Sequence, residues 1–252
     1  MLLAFRRAAL GTGFIFLMTT FGAAIALFLR GEPQPRFQKS LLGFASGVMT
    51  AASVWSLLIP AIEQTAAEGR FPAWLPAALG TLLGAAFLSA LDALTLRLGT
   101  DSLSASRRQA LLLVTAITLH NIPEGMAVGL ACALSAQTGN AAGAAALALG
   151  IGIQNFPEGA AVSLPVRQEC GNGARAFLCG TLSGAVEPLF GLLVVGAAAL
   201  AQTLMPWLLS FAAGAMLYVV VGELVPQAHG PAGNRGFLAG FLLMMTLDVA
   251  LG

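Results

Sequence analysis

Eight long apolar runs succeed one another along this chain, and the longest polar stretch between them is about a dozen residues. They cover about residues 8–29, 41–62, 73–96, 109–133, 141–165, 174–201, 205–228 and 235–251. A helix needs about 20 apolar residues to cross the hydrocarbon core of a bilayer. In lipid, only helices and closed barrels satisfy every backbone polar group internally. The runs are continuous rather than alternating, which excludes a barrel. The expectation is an all-α polytopic membrane protein in which residues 1–252 form a single eight-helix transmembrane domain. Only 9% of the 252 residues are charged and 58% are hydrophobic, against roughly 25% charged in a soluble domain. This excludes a disordered chain, a nucleic-acid binder and an ordinary soluble enzyme.

The net charge of +1 implies no acidic or basic partner. Cys132, Cys170 and Cys179 are an odd set without CxxC spacing, so they give neither a disulfide framework nor a zinc knuckle. The first run follows Arg6 and Arg7, as a signal peptide would. It continues to Leu29 and meets Arg30 without a cleavage site, so it reads as a spanning helix. Cytoplasmic loops carry the excess of Lys and Arg. Arg30, Arg36, Lys39, Arg97, Arg107, Arg108, Arg167, Arg175 and Arg235 follow the first, third, fifth and seventh runs. Arg6, Arg7 and Arg70 lie on the other side. Nine against three places the first set in the cytoplasm and both termini outside, with Arg6 and Arg7 discordant.

Six of the 11 acidic residues fall inside the runs: Asp92, Glu124, Glu158, Glu187, Glu223 and Asp248. A carboxylate in lipid costs several kcal/mol unless it is paired or faces water. Apart from Arg175 and Arg235 at the very starts of their runs, the runs hold no Lys or Arg, so a cation from outside the chain would solve the problem. Two of these acids belong to a repeated motif. The fourth run contains His120-Asn121-Ile122-Pro123-Glu124-Gly125, and the fifth contains Gln154-Asn155-Phe156-Pro157-Glu158-Gly159, 34 residues later. The short uncharged connection makes the two helices antiparallel neighbours, so the motifs should meet. His120 and Glu124 are i and i+4 on one helix face, as are Gln154 and Glu158. Pro123 and Pro157 offer no N–H to the carbonyls of Leu119 and Ile153, which predicts a local opening of each helix. Gly125 and Gly159 permit close backbone approach. Paired interruptions of this kind mark transporter binding sites. Glu187-Pro188 in the sixth run can join the same cavity.

One imidazole, several carboxylates and amide oxygens, with no thiolate, suit a borderline divalent ion such as Zn²⁺, Fe²⁺, Mn²⁺ or Cd²⁺. The imidazole argues against a pure Mg²⁺ or Ca²⁺ site. Asp92 and Asp248 read as local hydrogen-bonding groups. Glu223 and His229 stand between that role and lining an exit.

The doubled motif followed by Glu187-Pro188 resembles the ZIP family of divalent metal-ion transporters, in its bacterial GufA-like branch. Gly47-Val48-Met49, Trp55 to Pro60, Gly214 to Tyr218 and Glu223 are similar too, and the resemblance runs through the whole chain. It implies eight helices with both termini outside and a metal site between the fourth, fifth and sixth. His120, Glu124, Gln154 and Glu158 match a first metal position, with Met49 beside it. Asn121, Asn155, Glu124, Glu158 and Glu187 match a second. Ser56 and Glu63 match an outer mouth that admits metal.

Gln154 stands where many members have His, and Asn155 where some have Asp, which weakens the second position. The connection from Arg97 to Arg108 lacks the His-rich loop of many members. The resemblance implies uptake of Zn²⁺, as substrate, into the cytoplasm by alternating access. Lipid and the metal are the expected partners, and a bacterial inner membrane the expected location. Gly80 and Gly84 offer small-residue faces for a homodimer. Against a metalloprotease, His120 and His229 are the only two histidines and form no HExxH. A proton-coupled carrier of another cation, and a metal-gated sensor or channel, are the alternatives.

Overall fold

The computed structural model describes residues 1–28, 34–97, 105–200 and 202–251, and these contain helices and no strand. Arg30 and the centre of the Arg97–Arg108 connection lie outside the described residues. The helices are α1 (Leu2–Phe28), α2 (Pro35–Ala52), α3 (Ile59–Glu68), α4 (Trp74–Arg97), α5 (Ala105–Thr138), α6 (Ala142–Cys170), α7 (Gly173–Gly184), α8 (Val186–Leu200), α9 (Met205–Val219), α10 (Val225–Ala228) and α11 (Pro231–Leu251). Two π-helical segments, Ser53–Leu58 and Val220–Leu224, splice α2 to α3 and α9 to α10. A single turn residue, Ala185, separates α7 from α8. Each apolar run of the sequence corresponds to one such rod.

Among the described residues, five stretches are long and apolar enough to cross a membrane: Leu2–Phe28, Pro35–Glu68, Trp74–Leu94, Gly173–Ala198 and Met205–Ala228. The polar motifs of α5 and α6 lower the mean hydropathy of those helices, yet their polar side chains turn inward. Leu82, Leu83, Phe87, Leu178, Leu182, Leu193 and many other large apolar side chains point outward. That is the surface a chain presents to lipid rather than to water.

The rods pack as two groups of four. One consists of α1, α5, α6 and the α7–α8 rod. The other consists of the α2–α3 rod, α4, the α9–α10 rod and α11. The groups meet where α5 lies on α9 and where α6 lies on α11 and α2. Without a hydrophobic drive between helices in lipid, close backbone approach must supply the packing. The two motif glycines do this. A Cβ on Gly125 would overlap the backbone of Glu187, and one on Gly159 would overlap the carbonyl of Thr19. Gly125 therefore clamps α5 to α8, and Gly159 clamps α6 to α1.

In three features the helices depart from or add to the sequence reading. First, α5 and α6 run as unbroken α-helix through Pro123 and Pro157. The loss of one N–H from a long ladder is absorbed, because the flanking turns are clamped by neighbouring helices. Second, the irregular turns lie instead before Pro60 and Pro226. There Ile59 N–H reaches back to the carbonyl of Val54, and Val225 N–H to that of Val220. An extra residue in the turn relieves the missing proline donor, and such bulges are frequent at functional sites. Third, Gly80 and Gly84 face α9 within the same chain. A Cβ on Gly80 would press on Ser210 and Trp207, and one on Gly84 on Phe211. Those positions are consumed by internal packing and offer no face to a second copy.

Gly159→Ala should lower the thermal unfolding midpoint in detergent, at a cost of about 1–3 kcal/mol for overpacking. Gly13→Ala, where nothing lies within 4 Å of the added atom, should not lower it. Equal midpoints for the two variants would show that the α1–α6 clamp is loose.

Candidate metal centre

The two motifs meet in one buried layer. His120 is 2% exposed, Glu158 4%, and Asn121, Glu124, Gln154, Asn155 and Glu187 are fully buried. The antiparallel arrangement of α5 and α6 brings Gln154 of one motif onto Glu124 of the other, and Gln154 Nε2 donates to Glu124 Oε1. Asn155 Nδ2 donates to Glu187 Oε1 at 3.1 Å. Thr19 of α1 donates its hydroxyl to the same oxygen at 2.8 Å. Asn121 Nδ2 donates to the carbonyl of Ser183 at 2.9 Å, beside the α7–α8 break. Glu158 lies one turn beyond Gln154 on the same face of α6, which places it in the same layer as Glu124. His120 Nε2 lies 3.5 Å from Glu223 Oε2, so the imidazole also reaches across to the second group of helices.

The three amides of this layer each use a donor, while much of its acceptor capacity is left over. Six side-chain oxygens are buried without a hydrogen-bond partner in the protein: Asn121 Oδ1, Glu124 Oε2, Gln154 Oε1, Asn155 Oδ1, Glu158 Oε2 and Glu187 Oε2. Buried polar atoms are normally satisfied. An unsatisfied one costs about 1–3 kcal/mol, and more when charged. Six acceptors in one layer cannot satisfy one another, because an amide oxygen and a carboxylate oxygen both lack a proton to give. Their chemistry calls for positive charge. Among the described residues, no three His, Cys, Asp or Glu side chains form a metal-holding group by themselves. Unpartnered amide oxygens of Asn121, Gln154 and Asn155 lie in the same layer as the carboxylates.

Met49 is fully buried on α2, a helix packed against α6. Ser56 and Glu63 line one cavity of about 330 Å³, together with Trp55, Ala131, Ser135 and Asp248. Ala131 is seven residues beyond Glu124 on α5, about 10 Å along the helix at 1.5 Å per residue. The cavity therefore opens near one end of the helices and the carboxylate layer lies deeper. Asp248, read from sequence as a local hydrogen-bonding group, accepts a hydrogen bond from Ser56 Oγ at 2.6 Å. It also lines the cavity, and sequence gave no sign of that position because α11 carries no motif. Arg7, one of the discordant charges, donates to the carbonyl of Ser135 at 2.8 Å and to its hydroxyl at 3.0 Å. It caps the last turns of α5, where a cation complements the helix dipole. His229 sits at the end of α10, and its carbonyl accepts from Lys39 Nζ at 3.1 Å.

In a Cys170→Ser, Cys179→Ser background, a cysteine at position 63 should react rapidly with a membrane-impermeant thiol reagent. A cysteine at position 155 should not, because that position is fully buried. Comparable labelling of both would show that water reaches the carboxylate layer freely.

A model of the family described as ZIP Zinc transporter matches residues 98–248. That stretch holds α5 through most of α11, and with them the whole buried layer except Thr19 and Met49. The chain is 36% identical to "Zinc transporter ZIP11" of Homo sapiens, an alignment covering 98% of this chain and 97% of the relative. It is 36% identical to "Zinc transporter GufA" of Myxococcus xanthus over 91% of this chain and 93% of that one. With "Zinc transporter ZIPB" of Bordetella bronchiseptica the identity is 39%, covering 97% and 81%. By fold, buried motif and likeness along nearly its full length, the chain is an integral membrane protein that belongs to the ZIP family.

Proposed function

We propose that this protein carries a divalent transition metal, Zn²⁺ foremost, across a bacterial inner membrane into the cytoplasm. The observation that supports this reading most is the layer of six unpartnered acceptor oxygens. The relatives, each named a zinc transporter, point the same way. In this reading all eight rods span the bilayer and both termini are outside. Arg7 no longer counts against that orientation, because its guanidinium is bound to Ser135 within the protein. The cavity of Ser56, Glu63 and Asp248 then faces outward, and its carboxylates concentrate cations at the mouth.

The ion sheds water and passes to the buried layer. His120, Glu124, Gln154 and Glu158 hold it in a first position near Met49. Asn121, Asn155, Glu124, Glu158 and Glu187 form the second. Imidazole with carboxylate and amide oxygen is a donor set for borderline divalent ions. Three carboxylates offset most of the charge of two such ions. Neutral amide ligands keep binding loose enough for release. The two four-helix groups supply the parts for alternating access, one rocking against the other about the site. His120 is placed to report that movement, since its contact with Glu223 spans the two groups.

The test is flux of Zn²⁺ and Cd²⁺ into proteoliposomes. Wild type should give saturable flux, and Glu158→Ala and His120→Ala should abolish it while remaining folded. Absence of flux in folded, metal-free wild type would overturn the transport reading and favour a metal-gated sensor. Flux that survives both substitutions would overturn the site.

A further inference from the structure

Thr19 is outside both motifs and outside every ligand position assigned above. It lies on α1, which from Ala8 to Phe28 is apolar apart from Thr12, Thr19 and Thr20. Yet its hydroxyl is fully buried and has two acceptors in reach, the carbonyl of Ile15 on its own helix at 3.2 Å and the carboxylate of a different rod at 2.8 Å; its single proton goes to the shorter, charged contact. Three features of the fold bring it there. Gly159 lets α6 lie directly on the Thr19 backbone. Gly184, at the end of α7, leaves open the space beside the Thr19 side chain and Glu187 Oε1, where a Cβ would sit 3.0 Å from one and 3.3 Å from the other. The break at Ala185 then starts α8 so that Glu187 falls in its first turn.

The consequence lies in which oxygens of Glu187 are engaged. Oε1 accepts from Thr19 at 2.8 Å and from Asn155 at 3.1 Å. A carboxylate oxygen has two lone-pair directions, so both are taken. Oε2 has no partner in the protein. The carboxylate is thus locked with one oxygen turned to the layer and the other held by two donors. Glu124 is held in the same sense, with Oε1 bound by Gln154 and Oε2 unpartnered.

We propose that Thr19 is a positioning residue that restricts Glu187 to one-oxygen ligation and thereby sets metal selectivity. Zn²⁺ binds in tetrahedral sites with one atom from each ligand. Larger oxygen-seeking ions such as Mn²⁺ and Ca²⁺ take six or more oxygens and accept both atoms of a carboxylate. Holding Oε1 away favours the first kind over the second. Removal of the Thr19 hydroxyl returns one lone pair of Oε1 to the site and frees the carboxylate to turn. Both oxygens then reach a single ion.

The inference rests on the transport reading, and its test separates the two. Full-length wild type, Thr19→Val and Thr19→Ser are reconstituted and given Zn²⁺ and Mn²⁺ in competition. Thr19→Val should raise the apparent KM for Zn²⁺ about tenfold, at the low end of the effect of residues that orient metal ligands. It should also raise the ratio of Mn²⁺ to Zn²⁺ flux. Thr19→Ser, which keeps the hydroxyl, should restore both values. A merely structural role would lower total flux without moving the ratio. If Thr19→Val does not fold, Thr19→Ala carries the same expectation. A wild-type ion ratio in folded Thr19→Val or Thr19→Ala overturns the positioning role and leaves the transport reading standing. No flux of either ion in wild type overturns both.

Discussion

Three carboxylates sit together inside this protein with most of their hydrogen bonds coming from neutral groups, and the arrangement governs much of what surrounds them. Burying one unpaired carboxylate in a low-dielectric interior costs several kcal/mol, and a second and third of like sign add repulsion. Gln154, Asn155 and Thr19 each give one donor, which orients the groups without neutralising them. What is left is a cluster of oxygens that all accept. A layer of this kind is stable only with a proton or a cation inside it. Binding and release of a cation at this layer is the cycle that the proposed function requires.

The packing serves that layer. The glycine that follows each motif glutamate is used as a contact surface, so Glu124 is fixed as α5 closes on α8, and Glu158 as α6 closes on α1. Small residues at these crossings hold the helices at backbone distance, and the rigidity that results keeps the oxygens aimed inward. Irregular geometry borders the layer and does not enter α5 or α6. It appears at the α7–α8 break that starts the Glu187 turn, and at the π-helical turns containing Ser56 and Glu223. Those two residues flank the deep layer: one lines the cavity above it, and the other touches His120 from the opposite group of helices.

The all-helical plan and the meeting of the motifs were legible because both rest on local periodicity. Long uncharged runs become helices, and the i and i+4 spacing of His120 with Glu124 and Gln154 with Glu158 puts them on facing stripes. Ser56 and Glu63 line one cavity, and their role as an entrance belongs to the proposed function. Other features were hidden for physical reasons. Thr19 looks in sequence like any threonine that bonds its own helix, as Thr12 does to Ala8, and its hydroxyl is indeed within 3.2 Å of the Ile15 carbonyl; only packing shows the shorter bond to Glu187. Prolines mark a missing donor but not how a helix responds. Pro123 and Pro157 are absorbed, while Pro60 and Pro226 each give a π turn. The faces of Gly80 and Gly84 could not be assigned to an internal or external partner without the position of α9. Arg7 counted as a loop charge until its bond to Ser135 was seen.

The most direct measurement is to locate the ion itself. A Zn²⁺-loaded crystal, with anomalous scattering recorded at the zinc edge, would place the metal without reference to sequence or relatives. The expected result is a peak enclosed by Glu124, Glu158 and Glu187, with oxygen and nitrogen atoms at about 2.0–2.2 Å and at least one of the six unpartnered oxygens among them. Peaks confined to the cavity of Ser56, Glu63 and Asp248, with the buried layer empty, would contradict it.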